Sequence, residues 1–549
     1  MSEIPLQVIP IGGLGEIGKN MMAFQYDRDV LIVDAGLMFP ENDMLGIDYI
    51  IPDFRYLSGQ PNLRVRGILI THGHEDHTGA IQHVVSAFPA PIYATPLTAG
   101  LIEVKLRQAH LSDRVKLNVF RAGDKLDLSP FWIEAFHVCH SIPDCVGFGI
   151  TTPVGLFVHT GDFKFDPTPV DRRVTDYAKL ASFSARSVVA LFSDSTNAER
   201  PGWTPSESVI DSAFDRVFRA AKGRVIVSTF ASLISRVQQV AWASERYGRK
   251  VAIIGASMAE NVRMALQLGY LELPDGLLIS PEEARNLPPN QVTFVVTGSQ
   301  GEPSAVLNRL ATNNHGTLSI QPGDTVIISA RPIPGNEETV SRTINRLFQR
   351  GAQVIYDAID SVHVSGHASQ EEQRLMLSLV RPRNFVPIHG ELRHLKAHRE
   401  LALQVGIPDE RIAVVENGTK LLFYRDGQMV IGERVPGGYV FVDGSGVGDV
   451  HSGLIREREA LGRDGVVVLS AVVERDSGRV VCPPEIKAYG FVASGAAQGL
   501  LASAVQAAQR VLEQNGARSK ADQVEETLSK LFYNEIRRRP KLFVTVHEI

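Results

Sequence analysis

The sequence predicts an α/β protein in which one domain interrupts another, followed by a smaller C-terminal unit. Three observations lead there. Short apolar runs broken by turn residues fill the first third and return after about residue 360. Between them the rhythm changes to amphipathic helices alternating with buried strands, the βαβ pattern of a parallel sheet covered by helices. From Gly465 onward a last unit appears, with its own strands and helices.

The elements follow in chain order. LQVIPIGG, MMAFQY, VLIVDAG, VRGILITHG, PIYAT, FWIEAFHV, VGFGITT, GLFVHTGD and SVVALFSDS read as strands, and a helical pattern begins near Thr78. SESVIDSAFDRVFRAAK, ISRVQQVAWASERYG and MAENVRMALQLGY read as helices, with RVIVSTF, KVAIIG, QVTFVVTG and DTVIISA as buried strands between and after them. NFVPIHG and RIAVVENG restore the first style. The Gly-rich, charged stretch 436–464 reads as a connector. VVVLSAVV, AYGFVAS and LFVTVHE then read as strands, with helices near 495–514 and 519–538. The expected domains are 1–205 and 361–435 for the interrupted one, 206–360 for the insert and 465–549 for the last.

Composition sets the bounds. The chain has 549 residues, 44% hydrophobic and 21% charged, which is ordinary globular composition and excludes a mostly disordered or fibrous protein. At roughly 150 residues per domain, three or four domains fit. Three cysteines cannot make a disulfide framework and fit a reducing compartment, so a cytoplasmic protein is expected. No signal peptide and no apolar run long enough to span a membrane is visible. A net charge of −5 argues against a surface that is basic throughout, yet a local basic groove or a metal site can still hold phosphates.

Gly13, Gly15 and Gly18 match G-x-G-x-x-G after a strand. A dinucleotide site must open a helix there, whereas KNMMAFQYDRDVLIVDAG reads as two strands and a turn. The better reading is a glycine-rich loop beside an active site.

The strong signal is Thr71-His72-Gly73-His74-Glu75-Asp76-His77 after a buried strand. Imidazole and carboxylate in that density suit Zn²⁺ or Mn²⁺. The spacing lets His72 and His74 face one ion while Asp76 and His77 turn towards a second. Asp34, His140, Asp162 and His389 each follow a strand and join the candidates. Cys139, beside His140, is expected to point to the opposite face and into the core. Arg537, Arg538 and Arg539 read as a solvated helix end rather than an RNA track.

H-x-H-x-D-H followed by His, Asp and His at these intervals resembles the metallo-β-lactamase αββα sandwich. The insert resembles the β-CASP domain of nucleic-acid hydrolases. GGLGEIGKN, HSIPD, HTGDFK, SDSTNAERPG, STFAS, TGSQGEP, PIPGNE, HVSGHASQEE and PIHGE together resemble the bacterial ribonuclease J family over nearly the whole chain. The resemblance implies that His72, His74 and His140 hold one metal and Asp76, His77 and His389 the other, with Asp162 as bridge. Asp34 would fix a ligand histidine. Asp194, His367 and His389 match the β-CASP motifs, and His367, not needed as a ligand, is the candidate general acid.

The stretch His363, Val364, Ser365, Gly366, His367 resembles the family's substrate-phosphate loop, with Gly366 allowing close approach of an anion. One segment departs from the family's pattern: Thr229 to Arg236 reads TFASLISR, leaving Ser232 and Arg236 as polar groups for nucleotide contact. Asp48 and Asp443 could hold a structural Ca²⁺, against the plainer reading of solvated loop carboxylates.

The implied activity is metal-dependent hydrolysis of single-stranded RNA, 5′→3′ from monophosphorylated ends with endonuclease action besides, in RNA decay and maturation of rRNA and mRNA. Two metals are implied, Zn²⁺ before Mn²⁺. The implied partners are a homodimer or homotetramer held through the C-terminal unit, and the proteins of an RNA-degradation complex. A small-molecule metallohydrolase, an inactive RNA-binding scaffold and a DNA-directed nuclease are the alternatives. The β-CASP motifs argue against the first and the full ligand set against the second. Only contacts to the 2′-OH would separate the third.

Overall fold

The computed structural model describes residues 4–41, 43–300, 305–333, 336–477, 479–492, 497–514 and 519–549. The ends of the TGSQGEP and AYGFVAS stretches and the middle of PIPGNE lie outside them. The chain divides into two compact units, one of residues 1–39 and 49–440, the other of residues 40–48 and 441–549.

In the first unit two sheets face each other. One has eight strands in the order Met429–Arg434, Thr419–Phe423, Leu6–Gly12, Met21–Tyr26, Asp29–Val33, Arg64–Leu69, Ile92–Ala94, Leu117–Val119. The other has six, in the order Asn384–Ile388, Val188–Asp194, Gly155–His159, Val146–Thr152, Phe131–His137, Lys125–Leu128. Alternate residues of both meet in an aromatic core, where Phe24 packs edge-on against Phe192 with ring centroids 5.5 Å apart, and Phe157 against Phe423 at 5.2 Å. The outer face of the first sheet is covered by Ile81, Val84 and Ile102, from the helices Ile81–Ala87 and Pro96–Gln108. The outer face of the second is covered by Leu180, Phe183, Met376 and Leu377, from helices Tyr177–Ser184 and Gln370–Val380.

The insert is a five-stranded, all-parallel sheet in the order Lys250–Ile254, Val292–Val296, Val225–Ser228, Thr325–Ile328, Gln353–Ile355. Its central strand is buried throughout, as expected of a sheet covered on both faces. The helices Val209–Ala220, Ile234–Arg246 and Ala256–Leu268 fall where the apolar spacing places them. After the 13–18 glycines comes the strand Met21–Tyr26, not a helix, which disposes of the dinucleotide reading.

Three elements differ from expectation. RIAVVENG is not a strand: Ile412 makes one isolated bridge to Phe385, and the ladder starts at Thr419. In the second unit the strand is Val480–Tyr489, so of AYGFVAS only Ala488 and Tyr489 belong to it; Pro483 and Pro484 hide its start, and an edge strand tolerates them because one side makes no ladder bonds. The stretch 436–464 is not a bare connector, since it holds the helix Ser452–Asp464, no residue of which is buried.

The rest of the second unit is the sheet Val480–Tyr489, Val466–Val473, Lys541–Glu548 with helices Ala497–Leu512 and Lys520–Ile536. Val467, Leu469, Ala471 and Leu542 point towards the helices. Arg538 donates to the Phe491 carbonyl, while Arg537 and Arg539 flank the Tyr533 ring, so the arginine run caps and covers its own helix end. Among the described residues no helix is long and apolar enough to cross a membrane.

Candidate metal centre

The strands Asp29–Val33, Arg64–Leu69, Phe131–His137, Gly155–His159, Val188–Asp194 and Asn384–Ile388 deliver Asp34, the His72–His77 loop, His140, Asp162, Asp194 and His389 at or just past their carboxyl ends. Parallel pairing puts five of these ends on one edge, and two successive antiparallel pairings turn Phe131–His137 the same way. The loops pack so closely that a Cβ on Gly36 would sit 1.6 Å from the Asp76 carbonyl oxygen.

Among the described residues four overlapping groups of metal-binding side chains result, of which two match the expected ligand sets. His72, His74 and His140 bring ring nitrogens within 4.8 Å of one another, and Asp76, His77, Asp162 and His389 bring carboxylate oxygens and ring nitrogens equally close; His140, Asp162 and His367, and Asp194, His367 and His389, form the other two. His72 Nε2 is 3.1 Å from His74 Nδ1, which is 3.2 Å from His140 Nε2. Asp162 Oδ2 sits between the two expected sets: 3.7 Å from His72 Nε2, 3.8 Å from His140 Nε2, 3.2 Å from His77 Nε2 and 3.6 Å from His389 Nε2.

Four of the five imidazoles, all but His74, are aimed by a bond to the other nitrogen. His77 Nδ1 lies 2.8 Å from Asp34 Oδ2, and Asp34 Oδ1 accepts from Thr71 N at 2.8 Å. Thr71 Oγ1 donates to Asp34 and lies 3.0 Å from His72 Nδ1. His140 Nδ1 is 2.7 Å from the Gly366 carbonyl, and His389 Nδ1 is 2.6 Å from Thr196 Oγ1. These partners fix the tautomers that turn Nε2 of His72, His77, His140 and His389 inward. Thr71 and Thr196 were not legible as site residues, since a threonine beside a ligand has no signature in sequence.

Burial, then neighbouring imidazoles, hold His72 and His140 well below the usual histidine range. Burial also brings His74 to about 4, against the pull of Asp76 and Asp162. Burial would lower His77 and His389 too, but Asp162 and the other carboxylates outweigh it: His77 is held well above its usual value and His389 at about 9. Burial opposes ionisation of Asp76 and Asp162, and the facing histidines reverse it and hold both well below the usual carboxylate range. Three neutral imidazoles converging on one point have more lone pairs than shared protons can satisfy, and the second group adds two carboxylates. The donor set fits two divalent cations.

Beside the cluster, His367 Nδ1 is 2.8 Å from Asp194 Oδ2, and Asp194 is fully buried, its Oδ1 accepting from Thr196 N at 2.9 Å. His367 Nδ1 is also 3.9 Å from Asp162 Oδ2, so this nitrogen is already engaged. Asn197 Nδ2 donates to Ser365 Oγ at 2.8 Å and to the His367 carbonyl at 2.9 Å, which sequence reasoning did not single out. Among the described residues His363 Nδ1 is buried with no hydrogen-bond partner. Burial, then Arg236, Arg331, Lys164 and Arg200, hold His363 well below its usual range.

Four expectations are corrected. Val364 is buried in the core, so only its backbone can meet a ligand. The space that Gly366 leaves is taken by a protein ring: a Cβ there would lie 2.5 Å from His140 Cε1. Arg236 is 1% exposed and faces inward, so it is not a nucleotide contact. Asp443 is paired with Arg458 at 2.5 Å and Asp48 accepts from Gly444 N at 2.7 Å, so a guanidinium stands where a cation was expected. Both belong to the second unit. Ser232 is half-buried in the loop before the helix Ile234–Arg246. Cys139 is buried, its Sγ 3.2 Å from the Arg173 carbonyl.

A two-sheet sandwich with this constellation at one edge and a parallel-sheet insert is a metal-dependent hydrolase of the metallo-β-lactamase superfamily. Residues 14–196 match that superfamily and residues 351–410 the Zn-dependent metallo-hydrolase RNA specificity domain. Residues 222–347 match the ribonuclease J β-CASP domain and 453–549 the ribonuclease J C-terminal domain. The chain is 44% identical over 522 residues to ribonuclease J of Thermus thermophilus, covering 94% of this chain and 89% of that one. It is 38% identical to ribonuclease J2 of Bacillus subtilis, over 99% of both, and 42% identical to ribonuclease J 1 of Streptococcus pyogenes, over 88% of this chain and 86% of that one. A crystal structure of a protein of unknown function from Enterococcus faecalis shares the fold at 16% identity, with a TM-score of 0.55 over 76% of this chain and all of that one. The chain belongs to the ribonuclease J family. It is a metal-dependent hydrolytic ribonuclease that binds RNA.

Proposed function

We propose that this enzyme degrades and matures single-stranded RNA in the cytoplasm, releasing mononucleotides 5′→3′ from monophosphorylated ends, with internal cleavage where a strand passes without its end being held. The observation that carries the reading is Asp162 Oδ2 within 3.8 Å of ring nitrogens from both ligand groups, as a bridging carboxylate would be. His72, His74 and His140 would hold one ion and Asp76, His77 and His389 the other, Zn²⁺ before Mn²⁺. Two such ions supply an activated water and neutralise phosphate charge.

The chain's own residues do the rest. Asp194 engages His367 Nδ1 and leaves Nε2 to carry a proton towards the leaving oxygen. Ser365 Oγ accepts from Asn197, so its own hydrogen is available to a terminal phosphate. A bulkier, more highly charged triphosphate should fit the same loop worse. In the C-terminal unit Tyr489 and Phe543 stay 62% and 48% exposed on the sheet face turned from its helices, which supports this unit as the oligomer contact.

The test is the initial rate on matched RNAs differing only at the 5′ end. His367→Ala should lower hydrolysis by about 10²-fold or more, the range for a lost general acid. Ser365→Ala should mainly erode the preference for monophosphate. Equal rates on both ends by the unaltered enzyme would refute the end-recognition part of the reading.

A further inference from the structure

Arg236 opens the helix Ile234–Arg246, and every arm of its fork is engaged. Nε donates to Gln239 Oε1 at 2.9 Å, Nη2 to Glu207 Oε2 at 2.8 Å, and Nη1 to the Val362 carbonyl at 2.6 Å and to Ser329 Oγ. Ser329 Oγ donates to the same carbonyl at 2.6 Å. The network runs on through Glu207. Its Oε1 is 3.3 Å from Lys164 Nζ, which is 3.3 Å from Asp166 Oδ2, and Asp166 Oδ2 accepts from Glu207 N at 2.9 Å. All four charged residues are 3% exposed or less, and their two positive and two negative charges cancel.

The network joins four separate pieces of chain to the helix of Arg236. Glu207 lies where the chain enters the insert, Val362 where it leaves, and Ser329 at the end of the insert's strand Thr325–Ile328. Lys164 is two residues past Asp162, and its amide donates to the Cys139 carbonyl at 2.8 Å, next to His140. Val362 is three residues before Ser365 and five before His367. A fully buried ion network returns little net stability for its desolvation, and loss of one partner strands the others. What it supplies here is geometry.

We propose that Arg236 is a positioning residue: it fixes the 361–367 loop, and with it Ser365 and His367, against the metal-ligand loops, and does not touch RNA. The inference rests on the reading of that loop as the substrate contact. Lysine cannot take this place. One ammonium on a flexible stem reaches one or two of these acceptors, whereas the planar fork holds four in fixed directions. A shift of the loop by about 1 Å is enough to cost two orders of magnitude in rate.

The experiment uses the full-length, metal-loaded enzyme and a 5′-monophosphorylated single-stranded RNA. It measures kcat, KM, bound metal and the salt dependence of KM for the unaltered enzyme, Arg236→Lys, Ser329→Ala and His367→Ala. Arg236→Lys should lower kcat by about 10- to 100-fold, with KM within about threefold, metal content unchanged and the salt slope unchanged. Ser329→Ala, which removes one of the two donors to the Val362 carbonyl, should move kcat the same way by less.

A rise in KM with the salt slope reduced by about 0.7 would mark Arg236 as a phosphate contact and overturn the inference. So would an unchanged kcat in Arg236→Lys. Should that variant fail to fold, Ser329→Ala decides alone, and an unchanged kcat there overturns the inference. Full kcat in His367→Ala would overturn the loop reading and the inference together. Loss in His367→Ala with both other variants intact would overturn the inference alone.

Discussion

Gly366→Ala is a one-carbon change that should unseat His140, a proposed metal ligand. The added Cβ would lie 2.5 Å from His140 Cε1, 2.6 Å from His140 Nδ1 and 2.9 Å from Ser141 N. The ring contact is about 0.9 Å short of the 3.4 Å at which ordinary contact begins. Backbone blocks one side, so the imidazole must move, and its bond to the Gly366 carbonyl moves with it. Metal–nitrogen bonds tolerate only about 0.2 Å. Disturbing the partners that orient a ligand costs about 10- to 100-fold in metal affinity, and a displaced ligand should fall at the upper end of that range. The assay is metal per protein after equilibration in graded Zn²⁺ buffers, with RNA turnover alongside. Gly316→Ala, where a Cβ meets nothing within 4 Å, is the control. Two metals held at unaltered affinity by Gly366→Ala would refute the packing argument and the role given to His140.

Acid should destabilise the fold in part through His398, which is fully buried and held at about 3 by burial. Unfolded, it takes a proton near 6.5; folded, it resists down to about 3. Its contribution is therefore complete above pH 6.5 and is lost as pH falls towards 3, at about 1.4 kcal/mol per unit. Chemical unfolding at pH 6.5, 5.5 and 4.5 should give a shallower loss in His398→Asn, and equal slopes would remove His398 from the account. A chain ending at Asp464 should keep its metals and lose oligomer mass in light scattering; unchanged mass would place the interface elsewhere.

Sequence reading goes furthest where one residue type has one use at one place. Four ligands in six residues after a buried strand announce a metal site, because no packing role needs them. Strand-end His140, Asp162 and His389 follow by the same logic, and the structure brings all of them together. It goes least far where a role depends on what lies opposite. Arg236 reads as a polar group for nucleotide contact until Glu207 and the Val362 carbonyl are seen around it. Gly366 reads as room for an anion until the His140 ring is seen filling that room. The same holds for elements. RIAVV carries β-branched residues but finds no ladder partner beyond one bridge, while the helix Ser452–Asp464 has only Leu454, Ile455 and Leu461 as large apolar residues, too few to show a helical period.

The most direct measurement is mononucleotide release from a 5′-monophosphorylated RNA by stripped protein reloaded with Zn²⁺ or Mn²⁺, unaltered and with Asp162→Ala. The unaltered enzyme should regain turnover with added metal and shorten the RNA stepwise from its 5′ end. Asp162→Ala should fold and stay inactive, because neither ligand group alone organises the attacking water. Full turnover by Asp162→Ala, or by the stripped enzyme without metal, would contradict the two-metal account.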